Sequence, residues 1–227
     1  MPGRLVYADV PHRPDPTRWL DPVLLASNAA LFAANALVNP TAKVVFREPF
    51  VPSNGGADAD ADAANDGRPL IYITWHRLNY VCVPVFLSLP ADVRPTLIMH
   101  DGVASRALSH HSSVWMGFES FVFRRRSTVS PRDQIAQYIR STGRPTLNLP
   151  DSGGPYGVVK PGILEVARAC DARLVPFHVS ATRVVSVGKT LRHEIPLPYC
   201  RIEVRRGRPL DRGATVEDCQ RALDALA

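Results

Sequence analysis

The sequence has no paired cysteines, no long apolar run and few aromatic residues. Its four cysteines, Cys82, Cys170, Cys200 and Cys219, lie far apart with no Cys-x-x-Cys pair. That spacing argues against a zinc knuckle or a disulfide framework and for reduced thiols, as in a cytosolic protein. No stretch reaches the roughly 18 apolar residues of a transmembrane helix. The nearest, Leu20 to Val38, is interrupted by Asp21, Ser27, Asn28 and Asn35. Its leucines and alanines still predict a helix with one apolar face, packed on the core or lying at a membrane interface; it lacks the basic polar face usual for the latter. The prolines at 11, 14 and 16, with no early apolar region, do not read as a signal peptide. No G-x-S-x-G elbow is present, which argues against an α/β-hydrolase.

What is present is basic and of ordinary globular composition. The 227 residues are 45% hydrophobic and carry a net charge of +6, enough for one domain with a sizeable core and a bias toward anionic partners. Residues 51–69, "VPSNGGADADADAANDGRP", form an Ala/Asp/Gly stretch that cannot bury apolar surface and reads as a surface loop. It divides the chain into an N-terminal helical piece with a first strand (1–50), the loop (51–69) and an α/β core (70–227). The piece before the loop is too small to fold alone, so the loop is read as an insertion within one domain.

After the loop, short apolar runs alternate with helix signals. Strands are predicted at Leu70–Thr74, Pro95–Met99, Ser120–Phe123, Thr146–Leu149, Arg173–Val179 and Arg201–Arg205, with an earlier one at Lys43–Arg47. Ser130-Pro131 opens a helix that Gly143 ends, and Pro161-Gly162 opens another. Thr215 with Asp218 forms a capping box for a last helix. The alternation predicts a single α/β domain with a mostly parallel sheet flanked by helices.

The string Asp-Ser-Gly-Gly-Pro at Asp151–Pro155 matches the surroundings of a chymotrypsin-type nucleophile, and His76, Asp101 and Ser152 even share its chain order. The α/β alternation argues against that fold of two antiparallel barrels, and a helix signal rather than a strand follows Ser152.

Read in order, the motifs are Trp75-His76 ending a strand, Asp101-Gly102 after the next, and Gly117-Phe118 before another. Arg124 to Ser127 then follow, with Asp151 to Pro155, Lys160-Pro161-Gly162 and Val175-Pro176 closing the set. This succession, over about Leu70 to Leu210, resembles the lysophospholipid acyltransferase superfamily, most closely a bacterial branch related to the lipid A acyltransferases. The resemblance implies an acyltransferase-like fold. It also implies transfer of a fatty acyl group from acyl-CoA or acyl-carrier protein, as co-substrate, to a hydroxyl of a lysophospholipid-like or other lipid acceptor. No metal or other cofactor is implied. A protein acting on lipid from the cytoplasm, bound peripherally to an anionic membrane surface, would fit the charge.

Histidine, titrating near neutrality, is the natural base for such a step, and the carboxyl end of a parallel strand is where α/β sheets place ligands. His76 is therefore the expected general base, though a strand-end histidine can also be structural. The superfamily's His-x4-Asp carboxylate is missing, because Val81 stands at that position. Asp101 is its expected substitute by motif order. Arg124 or Arg125 is the expected phosphate-binding arginine. Asp151, Ser152, Gly153 and Gly154 are the expected anion-facing turn, with backbone N–H groups aimed at substrate. The missing carboxylate leaves an alternative open: a catalytically inactive lipid- or partner-binding member of the same fold. His100, His110 and His111 lack a third ligand of known position, so no metal site is expected. No nucleic-acid motif accompanies the basic charge.

Overall fold

The structure, a computed structural model, describes residues 3–9, 37–47, 66–102, 116–189 and 192–227, together with Ala33, Ser105, Ser112 and Ser113. Nearly all of the predicted Leu20–Val38 helix, most of the 51–69 loop, and His110 and His111 lie outside the described residues.

Ten strands are described: β1 (Leu5–Tyr7), β2 (Lys43–Phe46), β3 (Leu70–Ile73), β4 (Thr96–His100), β5 (Ser120–Phe123), β6 (Thr146–Asn148), β7 (Arg173–Ala181), β8 (Val184–Val187), β9 (His193–Pro196) and β10 (Arg201–Arg206). The helices are α1 (Asn79–Leu87), α2 (Pro131–Thr142), α3 (Gly162–Cys170) and α4 (Val216–Asp224). Eight strands form one sheet in the order β1-β5-β4-β6-β3-β7-β10-β2, and β8 with β9 form a separate hairpin. Every neighbouring pair in the large sheet is parallel except β7 with β10. The expected α/β domain with a mostly parallel sheet is thus what forms.

The sequence signals act locally as their chemistry requires. Ser130 accepts the Asp133 N–H at 3.1 Å to cap α2, Pro131 fills its first turn, and Gly143 ends it at a φ of 63°. The Thr215–Asp218 box opens α4 with both reciprocal bonds made. α1 carries no such signal. Its buried face of Val81, Cys82, Val85 and Phe86 is flanked by the half-buried and equally apolar Tyr80, Val83 and Leu87, so it has no amphipathic stripe to read.

α2 and α3 pack on each other, and α1 meets β7, β9 and β10. With the right-handed crossovers that parallel strands take, the strand order puts the α2–α3 pair and α1 on opposite faces of the sheet. The core fills both layers, from Ile71, Ile73 and Phe177 in the sheet to Phe86, Ile139 and Leu164 on the helices. All four cysteines are free and buried.

Three strands were not anticipated. β1 is a three-residue strand in a basic, proline-rich stretch. β8 is exposed at every residue and β9 is half-polar, so neither shows the buried run expected of a strand.

The order in the sheet sets the position of the site. β6 lies between β4 and β3, and the chain then crosses over β3 to form β7. The carboxyl ends of β3 and β6 therefore meet where the winding reverses, the usual ligand crevice of such sheets.

Candidate active site

Ile73 pairs with Asn148 in the β3–β6 ladder. Each strand continues three residues beyond that pair, to His76 and to Asp151, and these two meet. The His76 backbone N–H donates to Asp151 Oδ1 at 2.9 Å, and the Gly157 N–H donates to Oδ2 at 3.0 Å. Asp151 is 1% exposed. Its carboxylate therefore sits beneath His76 and joins the first residue of a 3₁₀ turn (His76–Leu78) to the far side of the glycine-rich turn.

That turn needs its glycines. Gly153, Gly154 and Gly157 have φ of 79°, 65° and 76°, a region that side chains with a Cβ rarely adopt. The turn closes on itself through Ser152 N–H to Leu149, Gly154 N–H to Asp151 and Lys160 N–H to Pro150, each at 3.1 Å. Lys160 Nζ bonds the Ser152 carbonyl, and Gln220 of α4 clamps the far side by accepting from Val159 N–H and donating to the Gly157 carbonyl. The N–H groups of Ser152, Gly154 and Gly157 are consequently spent inside the protein. The sequence expectation that this turn aims its backbone donors at substrate does not hold for these three.

The His76 ring is half-buried. Its Nδ1 is enclosed without a hydrogen-bond partner, which leaves Nε2 as the nitrogen available to a substrate. The ring packs against Tyr156, with centroids 5.9 Å apart, and edge-on against His193 of β9 at 5.3 Å. Tyr80 meets His193 in turn at 5.1 Å. Burial holds the His76 pKa below its ordinary value, and the negative Asp151 pulls it partway back. His193 is likewise lowered, by burial and by the neighbouring His76, against a raising effect of the His76 backbone. Both rings are thereby kept neutral near pH 7.

His76 lines a cavity of about 560 Å3, within the usual size for a small-molecule site. The cavity runs between the sheet and the α2–α3 pair. Leu97, Leu147 and Leu149 line the sheet side, and Ile135, Ile163 and Val166 the helix side. Arg125, Arg132 and Lys160 bring positive charge to the lining, and Ser152 and Gly153 also border it.

Of the expected site residues, His76, Arg125, Ser152 and Gly153 thus share one cavity. Asp151 lies under His76 and does not line it. Gly154 shapes the turn without reaching the lining.

Asp101 is placed elsewhere. Its Oδ1 accepts the Arg125 N–H at 3.2 Å and lies 3.8 Å from the Arg125 guanidinium, and the carboxylate acting on His76 is Asp151. Arg124 turns toward the N-terminal edge, its guanidinium donating to the Ala8 carbonyl at 3.3 Å and covering the Tyr7 ring at 5.6 Å. The choice between the two arginines is therefore made by geometry: Arg125 faces the cavity.

Sequence reasoning did not mark His193, because "LRHEIP" has neither strand periodicity nor a motif to flag it. His100 was noticed for the wrong chemistry. Its Nδ1 accepts the Gly102 N–H at 2.9 Å, so the neutral ring carries its proton on Nε2, 2.9 Å from Ser105 Oγ. A histidine donating to a serine cannot also act as its base. Gly102 belongs to this arrangement, since a Cβ there would meet the His100 ring at 2.6 Å. Among the described residues no group of three metal-binding side chains converges.

Ser152 is exposed and has no imidazole bonded to it, which removes the protease-like reading of Asp151–Pro155 on geometry as well.

No protein-family model matches the chain, and no curated protein matches it. Among solved structures it is similar to the crystal structure of the 1-acyl-sn-glycerophosphate (LPA) acyltransferase PlsC from Thermotoga maritima, at 12% identity and a TM-score of 0.49. The match covers 92% of this chain and 80% of that one.

Proposed function

We propose that the chain is an acyltransferase that moves an acyl group from an acyl thioester, on coenzyme A or carrier protein, to the hydroxyl of a lipid-type acceptor. The observation that carries this reading is an imidazole, His76, lining a mostly apolar cavity whose lining also holds three cations. The order of sequence motifs supports the same chemistry.

In this reading the acyl chain lies along Leu97, Leu147, Ile135 and Ile163, where it removes apolar surface from water. Arg125, Arg132 and Lys160 take the phosphate of the acceptor or of coenzyme A, and the N-terminal turn of α3 at Gly162 adds a favourable dipole. His76 Nε2 accepts the proton of the acceptor hydroxyl as its oxygen bonds the thioester carbonyl carbon. The tetrahedral intermediate then collapses with cleavage of the C–S bond. The imidazolium returns its proton to the departing thiolate, leaving ester and free thiol. A histidine with a lowered pKa is already unprotonated at pH 7 and so competent to begin this cycle. Asp151 serves as a positioning residue, holding the His76 backbone and placing negative charge near the ring as the imidazolium forms.

One observation favours the second reading, an inactive lipid-binding member of the fold: no carboxylate bonds the His76 ring itself. The two readings separate when purified protein is incubated with labelled acyl-CoA and mixed lysophospholipids. Turnover that falls by about 10²- to 10⁴-fold in His76→Ala, the span expected for loss of a general base, supports the enzyme. Lysolipid binding with no turnover by the unmodified protein refutes it.

A further inference from the structure

Among the described residues, the exposed large apolar side chains gather at one end of the molecule. Tyr156 and Val158 are on the turn between β6 and α3, which starts at the carboxyl end of β6. Val184, Val185 and Val187 belong to the hairpin that follows the carboxyl end of β7. β10 runs antiparallel to β7, so its start, just after the 78%-exposed Tyr199, lies at that same end. β2 runs parallel to β10, which brings Leu37 there too, and the Tyr199 N–H bonds Thr41 Oγ, whose own hydroxyl bonds the Leu37 carbonyl. Tyr7 closes β1 at the same level. His76 opens at this end.

The hairpin is the most projecting part of that surface. β8 is exposed along its whole length, and only β9 turns back, onto α1 and the His76 turn. Val187 pairs with His193 and Val185 with Ile195, and residues paired across an antiparallel ladder share a face. Two exposed valines thus extend the side of the hairpin that carries His193, whose ring meets His76. Residues 183–196 also hold Arg183, Lys189 and Arg192, all exposed, against the single carboxylate Glu194, which lies 3.8 Å from Arg77. Exposed Lys43 and Arg201 stand at the starts of β2 and β10 nearby.

We infer that the β8–β9 hairpin docks on an anionic lipid bilayer, with Val185 and Val187 entering the headgroup region and Arg183, Lys189 and Arg192 meeting lipid phosphates. Apolar side chains ringed by cations are the pattern of an interfacial element. The free edge of β8 could instead pair with β8 of a second copy, but the basic residues of both hairpins would then be brought together. Charge complementarity therefore selects the bilayer. Docked this way, the hairpin lays the end of the molecule that carries His76 against the membrane. That purpose rests on the acyltransferase reading, whereas the docking itself does not.

The test is sedimentation of the full chain with sucrose-loaded vesicles of phosphatidylglycerol and phosphatidylcholine, or of phosphatidylcholine alone, without substrate. The protein is expected to sediment with the anionic vesicles, and to do so far less with neutral ones or in 0.5 M salt, a concentration chosen to screen charge over roughly a few Å. Val185→Asp/Val187→Asp should weaken binding by about tenfold or more, because interfacial affinity follows buried apolar area. Circular dichroism and the melting temperature monitor its fold. Should that variant fold poorly, Lys189→Glu/Arg192→Glu, at exposed positions, must produce the same loss. Failure of the unmodified protein to bind anionic vesicles overturns the inference, as does undiminished binding by folded variants. A dimer that Val185→Asp/Val187→Asp converts to monomer assigns the surface to a second copy and also overturns it. Turnover on a water-soluble short-chain acceptor reports on the acyltransferase reading separately, and the hairpin variants should retain it.

Discussion

Asp151→Asn perturbs the site where its construction is most exposed to test. The carboxylate accepts one backbone N–H on each oxygen, from His76 and from Gly157, and is sealed from water. An asparagine can keep an acceptor toward one of these donors and must turn its own NH2 toward the other. One charge-assisted bond is lost and one buried N–H is left facing a donor, at a cost of about 2–3 kcal/mol. For a chain of this size that lowers the melting temperature by about 5–10 °C. Catalytically, the backbone anchor of His76 is weakened and the negative charge that raises its pKa is lost. The acid limb of kcat/KM should therefore move to lower pH while kcat falls, with KM for acyl-CoA little changed. Thermal melts and initial rates between pH 5 and 8 measure both effects. A melting temperature within about 1 °C of the unmodified protein, together with an unmoved acid limb, would refute the positioning role.

The two arginines should separate cleanly. Arg125→Ala is expected to raise KM for phosphate-bearing substrate by about tenfold or more, as loss of a charge-assisted contact does, while Arg124→Ala lowers the melting temperature and leaves KM in place. Asp101→Asn should follow Arg125 in raising KM and leave the acid limb unmoved, since it bonds Arg125 and the carboxylate acting on His76 is Asp151. Acid should destabilise the fold through its buried histidines. His178 is held at about 4 by burial and by Arg77 and Arg205, and His76, His100 and His193 are lowered as well. Above pH 6.5 neither folded nor unfolded protein binds these protons. As pH falls from there toward 4, the unfolded chain takes them up and the fold does not, so stability declines. His178 alone contributes about 2 kcal/mol of that decline, after allowing for solvent screening of a partly exposed group. Melting curves at pH 7.5 and 4.5 should show a smaller drop for His178→Asn.

The strands that bury both faces were legible as apolar runs, and so were helices that announce themselves by caps, as at Ser130 and Thr215. α1 was not, because a helix that is apolar on its half-buried sides as well as its buried one has no periodic face. β8 and β9 were not, because an exposed hairpin has no buried run. At the site, the prominence of His76, Asp151 and the glycines could be read from motif order. What the order could not convey was direction. A carboxylate near a histidine can serve its ring or its backbone, and only the β3–β6 register makes Asp151 a backbone partner. The same holds for Arg124 and Arg125, whose neighbouring positions at the end of a strand send one side chain to the cavity and the other to β1. His193 reaches the site through a hairpin between sheet strands, a long-range placement that no local pattern encodes.

The first 46 residues supply the outermost strand on each side of the sheet: β1 beside β5 at one margin and β2 beside β10 at the other. Both are made well before their partners, which come at residues 120–123 and 201–206. These pairings are therefore among the most distant in sequence, and loop-closure entropy places them late and slow in folding. Until they form, β5 and β10 present open backbone to any passing strand. A shortened chain starting at residue 70 would keep His76, Asp151 and the cavity lining and still leave both margins unpaired, trading an apparently dispensable preface for a tendency to aggregate.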